Sequence, residues 1–256
     1  MDNNRRTFLK VAGISAALGL GGVPLSLQAY APDQVEYVTN ENAIQGKRWG
    51  MVIDTDKFQT HEDFEAVIKA CNRVHNVPEI EGEEEIKWIW SDEFKHVFPS
   101  STNPYLVERY EHKEFILLCN QCDNPPCVRV CPTKATFQRE DGIVMMDFHR
   151  CIGCRYCMAG CPYGSRSFNF SDPAAHVPEK NPDYPTRVRG VVEKCNFCAE
   201  RLELGLMPAC VEASNGGIIF GDLNDPDSHI RQVLRENYTV RRKVELGTNP
   251  CVFYIV

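Results

Sequence analysis

Long apolar runs are missing from most of this chain. After residue 31 no stretch is long and apolar enough to span a bilayer, so membrane association of that part must come from a partner or from the amino end. Glycine-rich phosphate loops are missing as well, and so is any C-x-x-C-H haem attachment run. Surplus positive charge is absent: 28 Lys and Arg face 35 Asp and Glu, a formal charge of −7. Such a chain is a poor non-specific binder of nucleic acid, and no nucleic-acid partner is expected. The acidic run "EIEGEEE", residues 79–85, is best explained as a solvated loop, with docking of a cationic partner as the alternative.

Cysteine, by contrast, is abundant. The 256 residues contain 13, and all but Cys251 fall within residues 71–210. An odd number, at local spacings of two to four residues, suits metal chelation better than a disulfide framework. Cys119, Cys122, Cys127 and Cys131 form C-x2-C-x4-C-x3-C, closed by Pro132. Cys151, Cys154, Cys157 and Cys161 form C-x2-C-x2-C-x3-C, closed by Pro162, which is the bacterial ferredoxin run. Structural zinc would more naturally use two separated cysteine pairs.

The spacing carries a physical logic. A cubane cluster needs one thiolate per iron. Three close cysteines on a tight loop wrap three corners, and the fourth, before proline, reaches the cluster of the partner motif. Cys119, Cys122, Cys127 and Cys161 are therefore expected on one [4Fe-4S] cluster, and Cys151, Cys154, Cys157 and Cys131 on a second. Gly153 and Gly160 would let backbone amides approach the sulfides. Cys195, Cys198 and Cys210 supply three ligands of a further group, C-x2-C-x11-C. The next ligand would fall at 214, which is Ser214. Cys71 stands alone after a helix expected over about 62–70, and by itself is more readily a small buried hydrophobe than a ligand. Cys251, in the apolar terminal run "CVFYIV", is expected to be core.

These runs resemble the four-cluster iron–sulfur subunits of the dimethyl sulfoxide, polysulfide, tetrathionate and formate-dependent nitrite reductase systems. That resemblance covers about residues 48–256. It implies an α+β fold of nested ferredoxin-like units in which the second cysteine group exchanges ligands with the third, and the first with the fourth. The family's first group opens after an Asp-x-x-Lys turn. "DTDK", residues 54–57, is present, but Phe58 stands where a cysteine would begin. The ligands missing near Phe58 and at Ser214 belong, in the family, to one shared cluster. The complementary set of Cys71, Cys195, Cys198 and Cys210 is intact, so the resemblance implies three [4Fe-4S] clusters on twelve cysteines. The missing cluster and "IIFGDLNDPDSHI", residues 218–230, further resemble the exported DsrO-type subunits of DsrMKJOP complexes of sulfur metabolism. Those imply a multi-span quinone-interacting membrane subunit, a periplasmic multihaem cytochrome c and further subunits as partners.

The amino end agrees with export. Arg5 and Arg6 precede the Gly/Ala-rich "VAGISAALGLGGVPLSL", the pattern of a twin-arginine signal over residues 1–31, cleaved or retained as an anchor. That route suits a protein that folds around its cofactor first, and places it on the periplasmic face of the membrane. The expected organisation is an inner ferredoxin-like unit over 112–170 and an outer half-unit joining 48–78 to 190–225. A surface insertion over 171–189 and a closing helix and strand over 226–256 complete it. Iron bearing four thiolates has no open position for substrate, which favours electron transfer over catalysis. The alternatives are a subunit of another molybdopterin-type, polysulfide or nitrite reductase system, or a small oxidoreductase with an accessible cluster corner. Lys194 and Arg155 are candidate cations beside clusters, and His149 is expected to be a plain surface residue.

Overall fold

The computed structural model describes residues 40–100 and 103–256; the expected signal lies outside them. Among the described residues no helix is long and apolar enough to cross a membrane.

The strands are β1 (Trp49–Asp54), β2 (Ile89–Glu93), β3 (Glu114–Leu118), β4 (Thr136–Gln138), β5 (Val144–Met146), β6 (Ser167–Phe168), β7 (Val192–Glu193), β8 (Ile218–Asp222), β9 (Thr239–Val240) and β10 (Val252–Ile255). The helices are α1 (His61–His75), α2 (Phe94–Val97), α3 (Pro104–Tyr110), α4 (Pro126–Arg129), α5 (Tyr156–Ala159), α6 (Ala199–Glu203), α7 (Ala209–Ala213) and α8 (His229–Glu236). Together they make an α+β fold of small nested ferredoxin-like units.

The main sheet has the order β8-β1-β10-β9. β1 lies inside it, antiparallel to β8 (Trp49 opposite Asp222) and parallel to β10 (Met51 opposite Val252). Its continuous apolar run follows from that place: Met51, Val52 and Ile53 are fully buried. Tyr254 of β10 donates its hydroxyl to the Ile116 carbonyl at 3.1 Å and packs edge-on against Phe98 and Phe115, tying the sheet to the β2–β3 hairpin.

Three short hairpins frame the cysteines. β3 ends at the residue before Cys119. β4 and β5 pair between Cys131 and Cys151, and β6 and β7 between Cys161 and Cys195. The runs that begin at Cys119 and Cys195 therefore start just after a strand end.

α1 begins with a capping box, the Asp63 carboxylate accepting from the Thr60 and Gln59 amides at 2.8 and 3.0 Å. These amides hold the Asp63 carboxyl below its ordinary value. Phe64, Val67, Cys71 and His75 recur at helical spacing and form the buried face. The helix runs past the expected end at about residue 70 and stops at Asn76, whose left-handed φ of 51° closes it. That extra turn carries Cys71 and His75 inward, and α1 packs on α7.

Residues 171–189 are irregular apart from one turn at Pro173–His176. They reach inward at Arg187, which pairs with Glu193 at 2.7 Å, both side chains fully buried. The Arg187 guanidinium lies over Trp88 and Tyr184 and donates to the carbonyls of His75 and Asn76. Removing one partner of such a pair typically costs about 3–5 kcal/mol.

Candidate metal centres

The first C-x2-C step of each of the three cysteine runs shares a backbone feature. The residue before the second cysteine has positive φ in each: Gln121 at 42°, Gly153 at 69° and Phe197 at 55°. This hand turns successive amides towards one point and makes a concavity for negative charge. Gly153 has a second reason to be glycine, since a Cβ there would come within 2.5 Å of the Gly190 carbonyl oxygen. Gln121 holds its strained conformation with its side chain. Its Nε2 donates to the Cys195 carbonyl at 3.0 Å, and its Oε1 accepts from the Val144 amide at 2.8 Å. The inner and fourth cysteine segments are joined at that point.

Cys119, Cys122, Cys127 and Cys161 line one small cavity together with Asn120, Tyr163 and Arg166. Cys71 lies within electrostatic reach of Cys198, Cys195 and Cys210, although more than a hundred residues separate them in sequence. Cys157 is near Cys127 and Cys151. Cys131 is half-buried and engaged by the Thr136 amide at 3.4 Å and the Thr133 hydroxyl at 3.7 Å; these donors outweigh burial and hold its thiol below the ordinary value. Cys154 is exposed. No hydrogen bond draws Cys131 or Cys154 to Cys151 or Cys157 among the described residues.

All of these cysteines are free thiols. Burial, reinforced by neighbouring sulfur, pushes Cys122 and Cys195 up to about 12, and burial alone drives Cys210 to about 12. Cys71 and Cys198 are raised well above the ordinary value for the same reason. Thiolates crowded this way need bound cations to exist. A single tetrahedral zinc would draw its sulfurs to about 3.8 Å of one another. Among the described residues no three cysteine sulfurs converge even within 4.8 Å, whereas His75, Cys198 and Glu200 do. The sulfur sets thus suit a polynuclear group better than one ion. Polar atoms in the cavity agree: Arg166 Nη2 and both side-chain atoms of Asn120 are buried with no oxygen or nitrogen partner, and both residues line the sulfur-walled space. Of these atoms Asn120 Nδ2 and Arg166 Nη2 are donors, which match a group whose sulfurs accept; Asn120 Oδ1 is an acceptor and adds nothing to the match.

The missing ligand positions also meet. A Cβ on Gly217 would lie 2.9 Å from the Phe58 ring and 3.1 Å from the Ser214 carbonyl oxygen. Phe58 tilts against Phe64 at 5.4 Å between ring centres. The Ser214 hydroxyl donates to the Val211 carbonyl at 2.7 Å and accepts from the Ile218 amide at 2.9 Å, so it joins the end of α7 to β8. Ser214→Cys is therefore expected to leave iron content unchanged after anaerobic reconstitution, at a cost of about 1 kcal/mol in stability. A gain of one four-iron cluster would refute this.

Spacing missed several residues. His75 carries Nδ1 3.6 Å from Cys71 Sγ and 3.0 Å from the Cys71 carbonyl, with Nε2 2.7 Å from Glu200 and its ring stacked on Trp88. The Glu200 carboxyl, although burial opposes it, is held below its ordinary value by His75 and Asn196. Arg166 had no spacing signal at all. Of the two cations singled out from sequence, Lys194 is buried with Nζ on the Val144 and Cys195 carbonyls, while Arg155 is exposed and lies over Phe168 and Phe170. His149 is fully exposed. Cys251 is buried but not in apolar surroundings, since Arg48 Nη2 donates to its sulfur at 2.9 Å.

Residues 111–176 match the 4Fe-4S dicluster domain family. Along nearly its whole length the chain is similar to the Hdr-like menaquinol oxidoreductase iron-sulfur subunit 1 of Archaeoglobus fulgidus, 42% identical over 98% of this chain and 97% of that one. A subunit of the tetrathionate reductase of Salmonella typhimurium is 36% identical over 100% of this chain and 89% of its own. The iron-sulfur cluster-binding subunit of a menaquinone reductase from Nitratidesulfovibrio vulgaris is 37% identical over 81% and 88% respectively. The chain belongs to the ferredoxin-type iron–sulfur subunits of membrane respiratory oxidoreductase complexes, and is an electron-transfer subunit rather than the catalytic part.

Proposed function

We propose that the chain relays electrons through three [4Fe-4S] clusters. The ligand sets are Cys71, Cys195, Cys198 and Cys210; Cys119, Cys122, Cys127 and Cys161; and Cys131, Cys151, Cys154 and Cys157. When bound, the clusters supply one-electron redox chemistry. The protein's part is to hold them in line and to shield all but one end. The observation that carries this reading is the succession of sulfur contacts: Cys195 lies within electrostatic reach of Cys119, and Cys127 within reach of Cys157. Those contacts order the sets from Cys71 through Cys119 to Cys151. Exposure follows the same order. The Cys71 set is wholly buried, whereas Cys154 is exposed beside exposed Ile152 and Tyr156. Apolar side chains around an uncovered ligand are what an electron-accepting or electron-donating partner would cover.

The proposed setting is a DsrO-like subunit of a sulfur-metabolism complex on the periplasmic face, exported by the twin-arginine route. Its partners are a quinone-interacting multi-span subunit and a multihaem cytochrome c. The names of two relatives, a menaquinol oxidoreductase and a menaquinone reductase, support the quinone partner. The name tetrathionate reductase supports the sulfur setting. The cytochrome rests on the sequence resemblance. The test is anaerobic analysis of the purified chain together with reduction of the assembled complex by a menaquinol analogue. About twelve irons and twelve sulfides per chain are expected, with all clusters reducible. About sixteen irons would restore a fourth cluster, about eight would remove the Cys71 set, and clusters inert to quinol in the intact complex would reject the relay.

A further inference from the structure

We propose that Arg166 couples two of the three centres: one buried guanidinium, lying between the Cys119 and Cys151 sulfur sets, donates to a ligand sulfur of each and raises the reduction potential of both neighbours. The inference rests on the ligand sets proposed above.

Arg166 stands immediately before β6, five residues after Cys161, and is 5% exposed. Its stem and charge are fixed from one side. Nη1 donates to Thr136 Oγ1 at 3.1 Å and approaches Met146 Sδ at 3.9 Å, both on the β4–β5 hairpin. Nη2 meets no oxygen or nitrogen acceptor, and the guanidinium instead faces the sulfurs of Cys127 and Cys157, within hydrogen-bonding reach of both, while Arg166 lines the sulfur-walled cavity. A guanidinium cannot shed its proton, so these two sulfurs are the acceptors open to its remaining N–H groups. The same charge faces sulfur on both sides. Cys127 and Cys157 each lie within its direct electrostatic reach, and they belong to different sets. A reduced cluster carries one more negative charge than an oxidised one, so a fixed cation in a low-dielectric site favours reduction of each. The third set sees other cations. Lys194 acts on Cys195, and Arg201 acts on Cys210. The molecule therefore contains its own control.

The experiment compares Arg166→Met and Arg166→Lys with the parent as full, cluster-loaded chains. Iron and sulfide content is measured first, then each cluster's potential by redox titration followed by EPR. Arg166→Met is expected to lower two of the three potentials and leave the third in place. Arg166→Lys, which keeps the charge but not the two-sided fork, is expected to give smaller displacements of the same two. If the Met variant does not retain iron, the Lys variant decides alone: two displaced potentials support the coupling, and none overturns it. Three unchanged potentials at full loading, a shift confined to one cluster, or an equal shift of all three would each overturn the proposal. A parent chain with iron content far from about twelve would instead reject the ligand assignment beneath it.

Discussion

Cys71→Ser is expected to remove the centre shared with Cys195, Cys198 and Cys210, lowering iron from about twelve to about eight per chain, or to about eleven if a three-iron form survives. Cys251→Ser should keep all of it. The contrast is informative because both cysteines are buried and both are solitary in sequence. Cys71 faces three other sulfurs from the inner side of α1. A serine there offers a neutral hydroxyl in place of a thiolate. Metal binding is also folding free energy, so the packing of α1 on α7 should loosen with the loss. Cys251 faces Arg48, whose guanidinium also donates to the Gly142 and Gln121 carbonyls at 2.9 and 3.0 Å and pairs with Asp123 at 3.2 Å. A serine at 251 still accepts from Arg48, and the change should cost about 1 kcal/mol at most. Iron and labile-sulfide analysis with EPR on both variants checks the pair. Full iron in Cys71→Ser would show that Cys71 is not a ligand.

Replacing Arg5 and Arg6 together by lysine is expected to retain the protein on the cytoplasmic side, with close to complete loss of periplasmic product. The reason lies in the thiols. Cys131, Cys151 and Cys161 are only partly covered and Cys154 is exposed. In an oxidising compartment an unloaded chain would expose sulfurs to disulfide formation before they could gather around iron. Loading before transport removes that hazard, and the twin arginines are the sequence feature that would direct a folded cargo. Fractionation and immunoblotting measure the outcome, with iron content of the retained protein as the control for folding. Undiminished periplasmic delivery of the double variant would exclude this route.

Different parts of this molecule were legible to different degrees from its residues. Cysteine spacing is local, and it carried the family, the fold class and the two central runs. Strands such as β1, β5 and β8 announced themselves by short apolar runs. The parallel pairing of β1 with β10 did not, because nothing near Trp49 encodes a partner two hundred residues away. The end of α1 was misplaced for a related reason: the last turn is held by what His75 and Asn76 meet from distant segments. Ser214 was conspicuous as a broken motif, yet its hydroxyl's role at the end of α7 required the backbone. Arg166 belongs to no repeat, and only the cavity reveals it.

The pairing of early and late segments has a consequence in time. Cys71 leaves the ribosome long before Cys195, Cys198 and Cys210, a wait of roughly 6–25 s at ordinary elongation rates. β1 waits longer still, for β10. The segment from Cys119 to Cys161 is complete well before either. With the ligand sets proposed above, maturation of this chain would have a built-in order: the middle run is complete and able to take up iron while the segments that pair around it are still half made.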